Sequence, residues 1–156
     1  MRCYLSILLF LLLLAPAKAQ PKYEVRAAWV TAVYGLDWPR TKATTPTAIR
    51  RQQEELTDIL DKLKAANFNT ILFQTRTRGD VLYHSSIEPY NSILTGKVDG
   101  DPGYDPLAFA VRECHKRGME CHAWMVAIPL GNKKHVASLG NKSVTKQRKE
   151  ICIPYK

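Results

Sequence analysis

The chain has 156 residues and a formal net charge of +9 at pH 7, a length that accommodates one small domain. The basic excess is local: Lys133 to Lys156 holds seven Lys/Arg and one Glu, a charge of +6, which argues against a fold-wide nucleic-acid surface. Such a tail either draws anionic envelope polymers by long-range attraction or is a solvated loop. Beyond the leader described next, Cys114, Cys121 and Cys152 are an odd number at irregular spacing. They form neither a disulfide framework nor a CxxC or Cys/His metal pattern.

The first residues read as a leader. Met1-Arg2 is a short positive start, Ile7 to Leu14 is almost purely aliphatic, and Ala17-Lys18-Ala19 has the small-x-small form of a cleavage site. Cleavage before Gln20 removes residues 1–19 from 156, leaving 137, and takes Arg2 and Lys18 with it, leaving +7. The apolar run is shorter than the about 20 residues of a membrane-spanning helix. The expectation is export, to the periplasm or the medium, with no stable membrane insertion after cleavage and no nucleic-acid partner.

Tyr23 to Val33, β-branched and aromatic, predicts a first strand. The loop Tyr34-Gly35-Leu36-Asp37-Trp38-Pro39 follows, punctuated by Gly and Pro and carrying two aromatics and an acid expected to be exposed. An aromatic beside a carboxylate suits a sugar, the ring lying on the apolar face of a pyranose and the acid taking its hydroxyls. The same pair also arises when Trp38 simply packs the loop onto the domain. Thr45 then caps a helix that begins at Pro46. Ile49, Leu56, Ile59, Leu60, Leu63 and Ala66 recur at helical spacing, and the helix is expected to end at Ala66-Asn67.

Thr70-Ile71-Leu72-Phe73 predicts a strand buried on both faces, running into Gln74, Thr75, Arg76, Thr77, Arg78, Gly79 and Asp80. Alternation puts Leu72, Gln74 and Arg76 on one side. An apolar strand delivering Gln and Arg into a Gly-containing loop reads either as the floor of a site or as a solvated cluster of Arg76, Arg78 and Asp80. The stretch from Thr77 to Asp105 is long for a loop, and its aromatics and short apolar steps favour an ordered, site-building segment. Asp105-Pro106 opens a second helix, closed by Arg117-Gly118. Glu120 to Ala127 predicts a third strand, with His122 and Trp124 on one side; His122 is either a substrate contact or a satisfied core residue. From Asn132 to Lys156 no period is sustained, and a loop is expected.

Strands alternating with helices imply βαβ units and a parallel sheet. Three strands leave such a sheet with open edges and one bare face, and a full barrel takes about 250 residues. The expected fold is therefore α/β: an incomplete TIM (β/α) barrel, its first three strands and two helices, spanning residues 20–156.

The segments EVRAAWVTAVYGLDWP at 24–39, NTILFQTRTRGDVLYHSSIEPY at 69–90 and DPGYDPLAFAVRECHKRGMECHAWM at 101–125, with HVASLGNKSVTKQRKE near the end, resemble the glycosyl hydrolase-like 10 family. These are secreted bacterial proteins with TIM barrels, related to glycoside hydrolases. The likeness implies a glycosidase acting on a bacterial envelope glycan or related polysaccharide; no cofactor is expected, and no metal-ligating residues are singled out. It points to Asp37, Trp38, Gln74, Arg76, Arg78, Asp80, His122 and Trp124 as substrate-binding positions. Thr75 and Thr77 stand where family members often carry Val and Pro. Glycosidases generally need two carboxyl groups. The likeness places them on later strands, beyond Lys156, so the chain alone is expected to be inactive. Asp37 and Asp80 form an alternative pair, but the arginines beside them would hold both ionised. The alternative function is a secreted carbohydrate-binding protein without hydrolysis.

Overall fold

The computed structural model describes residues 23–153; the leader and Lys156 lie outside them. The order is β1 (Ala27–Val30), a 3-10 turn (Val33–Gly35), α1 (Pro46–Ala65), β2 (Thr70–Arg76), α2 (Pro106–Lys116), β3 (Glu120–Met125), then two short helices, α3 (Lys133–Ser138) and α4 (Val144–Gln147), each followed by a 3-10 turn. The strands form one parallel sheet in the order β1-β2-β3. This is a partial α/β domain with a sheet that stays open among the described residues.

Local chemistry sets the bounds. Thr45 Oγ1 accepts from Ala48 N at 3.2 Å and Asp105 Oδ1 from Ala108 N at 2.9 Å, so each helix begins at the proline after its cap. Asn67 (φ 62°) and Gly118 (φ 60°) turn the chain out of the two helices in the left-handed region. β1 is shorter than the expected Tyr23 to Val33 because side chains take its backbone donors at both ends. Arg26 N donates to Asn69 Oδ1, Thr31 N to Asp37 Oδ2, and Ala32 N and Val33 N both to Gln74 Oε1. The tail also differs from the expected loop. Asn132 Oδ1 accepts from His135 N at 2.9 Å and starts α3, a helix too short to leave a period in the sequence.

The core lies between α1, α2 and one face of the sheet. Leu56, Leu60, Ile71, Phe73 and Ala110 are wholly buried there, each larger side chain stabilising by roughly 1.5–3 kcal/mol. The segment after β2 is ordered: Val81, Leu82 and Leu94 are buried, and Leu82 N returns to Thr75 O at 2.8 Å. Gln52 is a buried polar hub that periodicity did not reveal. Its amide bonds Thr41 O and Leu94 O, its Oε1 accepts from Tyr104 Oη, and its backbone carbonyl accepts from Trp38 Nε1 at 2.8 Å. Among the described residues no helix covers the other sheet face. Trp29 is 59% exposed on it and meets Trp124 edge to face, ring centres 4.6 Å apart. No helix among the described residues is long and apolar enough to cross a membrane.

Candidate functional site

The C-terminal ends of parallel strands are where an α/β sheet places its ligands. Here they frame a cleft of about 390 Å³, lined by Tyr34 after β1, Arg78 and Asp80 after β2, His135 after β3, and Lys42 and Asn91 from the connecting segments.

Gln74 and Asp37 build the first wall. Gln74 Oε1 accepts from Thr31 Oγ1 (2.7 Å), Ala32 N (2.9 Å) and Val33 N (3.0 Å), while Asp37 Oδ2 holds Thr31 N at 2.8 Å. Together they fold the 3-10 turn Val33–Gly35, inside which Tyr34 adopts φ 57°, ψ 11°. A bulky residue in that left-handed region is uncommon and stores strain. It leaves the Tyr34 side chain 75% exposed.

The second wall is the turn after β2. Buried Asp80 accepts the Thr77 hydroxyl and Arg78 N on Oδ1. Its Oδ2 lies 3.7 Å from His135 Nε2, which donates to the Arg78 carbonyl at 3.0 Å. That bond assigns the proton to Nε2, since a carbonyl only accepts. Gly79 has φ 80°, and a Cβ there would meet Leu130 and Leu139 at 3.2 and 3.3 Å, so the turn requires glycine. The Arg78 guanidinium lies 5.3 Å from the Tyr34 ring centre and donates to Tyr34 Oη at 3.3 Å, while its buried Nε has no partner. Lys42 donates to Ile93 O at 2.7 Å, and partial burial lowers its pKa.

Of the expected site residues, only Arg78 and Asp80 line the cleft. Trp38 is a correction: it is 0% exposed, packed 5.5 Å from Phe73, and has no face to offer a sugar. Tyr34, four residues earlier, is the exposed aromatic. Gln74 is buried and fully used in shaping the β1 turn. Arg76 is buried too. It grips both oxygens of Glu88 at 2.6 and 2.7 Å and donates to the carbonyls of Val126 and Ala127, tying the long segment to the exit of β3. Glu88 holds its pKa above the ordinary arginine value. Asp37 is exposed but engaged with the backbone and outside the cleft. His122 pairs with Glu120 at 2.8 Å on the helix-free face, away from the cleft, and Trp124 faces Trp29 there. Lys42, Asn91 and His135 were missed; they come from separate segments, and no spacing links them.

Among the described residues Asp80 is the single carboxylate lining the cleft, so they do not assemble there the two carboxyls that glycoside cleavage generally uses. What the arrangement offers is a ring, a carboxylate acceptor, an amide and two cations.

The family model of the glycosyl hydrolase-like 10 family matches residues 24–153. The chain belongs to that family. Similar proteins include Glycosyl hydrolase YngK of Bacillus subtilis, 39% identical over 108 residues, which cover 69% of this chain and 21% of that protein. Glycosyl hydrolase DigH of Escherichia coli K12 is 41% identical over 114 residues, 70% of this chain and 26% of DigH; the Shigella flexneri DigH gives the same figures. The chain thus spans about a quarter or less of the length of these relatives.

Proposed function

We propose that the chain forms the opening part of an exported (β/α)-barrel glycoside hydrolase acting on a bacterial envelope glycan or related polysaccharide. In this reading it supplies substrate-binding groups, while the catalytic carboxyls come from elsewhere in the barrel. The observation that carries the reading is the cleft at the C-terminal ends of the strands, with Tyr34 and Asp80 in it, in a member of the glycosyl hydrolase-like 10 family. An aromatic ring stacks on C–H faces of a sugar, and a carboxylate with a free oxygen accepts its hydroxyls. The bare sheet face around Trp29 and Trp124 supports the barrel, because parallel sheets are ordinarily covered on both sides. Export rests on the leader, and N-terminal sequencing of the exported product is expected to begin at Gln20.

The test is a glycan titration of the purified chain followed by NMR. Soluble envelope oligosaccharides are expected to shift resonances of Tyr34 and Asn91, to lose affinity on Tyr34→Ala, and to show no release of new reducing ends. Absence of binding overturns the reading. Turnover by the chain alone overturns the placement of the catalytic acids. The second reading, glycan binding without hydrolysis, is favoured by the single carboxylate of the cleft.

A further inference from the structure

Among the described residues, the cations held at least partly out of water fall into two groups. Arg76 is saturated by Glu88, and Arg117 by Asp61 and Glu113 at 2.6 and 3.0 Å. Lys42 and Arg78, both lining the cleft and neither wholly exposed, have no acidic partner among the described residues. Their hydrogen bonds go to the carbonyl of Ile93 and the hydroxyl of Tyr34, and the Arg78 Nε goes unused. Holding cations partly out of water without an anion is costly, and an arriving anion recovers that cost.

We propose that the cleft takes the carboxylate of an acidic sugar, held between Lys42 and Arg78. The inference rests on the glycan reading above and narrows its substrate to an anionic one. Charge sets the valence. Lys42 and Arg78 bring two positive charges and Asp80 one negative, a formal balance of +1. A monoanion neutralises it; a phosphate dianion would leave a surplus negative charge beside the buried Asp80 carboxylate. Geometry agrees: a guanidinium pairs with a carboxylate through parallel N–H donors, and the ammonium of Lys42 has hydrogens left after Ile93. The sugar ring then lies toward Tyr34, with Asp80 Oδ2 and Asn91 left for its hydroxyls.

The experiment compares two tetrasaccharides on the full chain by NMR titration. One is the hyaluronan tetrasaccharide, which alternates N-acetylglucosamine with glucuronate; the other is chitotetraose, built of N-acetylglucosamine alone. The acidic sugar is expected to bind at least about tenfold tighter at low salt. Lys42→Gln and Arg78→Gln should each remove most of that preference, and Arg78→Lys, which keeps the charge and loses the paired donors, should keep only part of it. Lys134→Gln, an equal charge change at an exposed position outside the cleft, should leave it intact. Equal binding of the two sugars overturns the proposal while the glycan reading stands. A preference that survives both glutamine variants, or that Lys134→Gln erodes equally, also overturns it. Binding of neither sugar overturns the glycan reading as well.

Discussion

Arg76 and Arg78 sit two residues apart where β2 ends, and their surroundings are opposite. Arg76 is spent: both Glu88 oxygens and two backbone carbonyls occupy its guanidinium. Arg78 keeps unused donors and lies against an exposed tyrosine. The same side chain serves as a lock in one place and as an open contact in the other. What decides between them is the carboxylate within reach, and not the position along the strand. In a dry setting a cation that already has its anion contributes rigidity. One without its anion has binding capacity left.

Removing the lock should have the largest effect. Glu88→Gln leaves the Arg76 charge nearly buried and unpaired, which costs about 3–5 kcal/mol in urea unfolding. Replacing both partners with apolar residues, Arg76→Met with Glu88→Leu, should recover most of it, because the penalty lies in the stranded charge. Arg78→Met should cost less than about 1 kcal/mol, the scale of its contact with Tyr34. Comparable losses for Glu88→Gln and Arg78→Met would erase the distinction between the two arginines.

The second lock answers to pH. Lys116 at 2.7 Å, and then Arg117, hold the Glu113 carboxyl below the usual carboxylate range, against the opposing effect of burial. Arg117 does the same to the exposed Asp61. A depressed folded pKa means that the unfolded chain binds more protons as the medium is acidified. The stabilisation is therefore complete above the ordinary carboxylate pKa and disappears as pH falls through the depressed one. Glu113→Gln should flatten the dependence of Tm on pH in the acid range and lower stability at pH 7 by less than about 1 kcal/mol. An unchanged acid slope would show that the Glu113 pairing contributes nothing to folding.

The sequence made the frame legible because the frame is local. Thr45-Pro46 and Asp105-Pro106 announce helix starts, Asn67 and Gly118 their ends, and Ile71 to Phe73 a buried strand, all by contacts a few residues apart. The site was legible only in part because it is made by distant partners. Trp38 is buried by the carbonyl of Gln52, fourteen positions away, and Arg76 by Glu88, twelve away in an irregular segment. His135 reaches the Arg78 carbonyl across 57 positions, from a helix too short to show a period. Residue type singled out Arg78 and Asp80, which line the cleft. It assigned the same value to Gln74 and Arg76, whose polar atoms are consumed inside the fold.

The open side of the comparison is best sharpened at Tyr34, where the expected change in stability is smallest. Its side chain is largely in water, so little burial is lost when it is removed. Its backbone, at φ 57°, is one that glycine adopts without the roughly 1 kcal/mol that an L side chain incurs. Glycine also loosens the unfolded chain by about 0.4–1 kcal/mol, and the two effects nearly cancel. Tyr34→Gly should therefore cost no more than its contact with Arg78, less than about 1 kcal/mol, while glycan affinity falls. Tyr34→Phe keeps the ring, gives up the hydroxyl bond to Arg78 and should hold most of the affinity for a neutral sugar. A strained aromatic that can be deleted at little cost in stability, yet only with loss of ligand, is maintained for the ligand. If Tyr34→Gly destabilises strongly, the turn is a structural device, and the cleft must bind through Asp80, Asn91 and its cations alone.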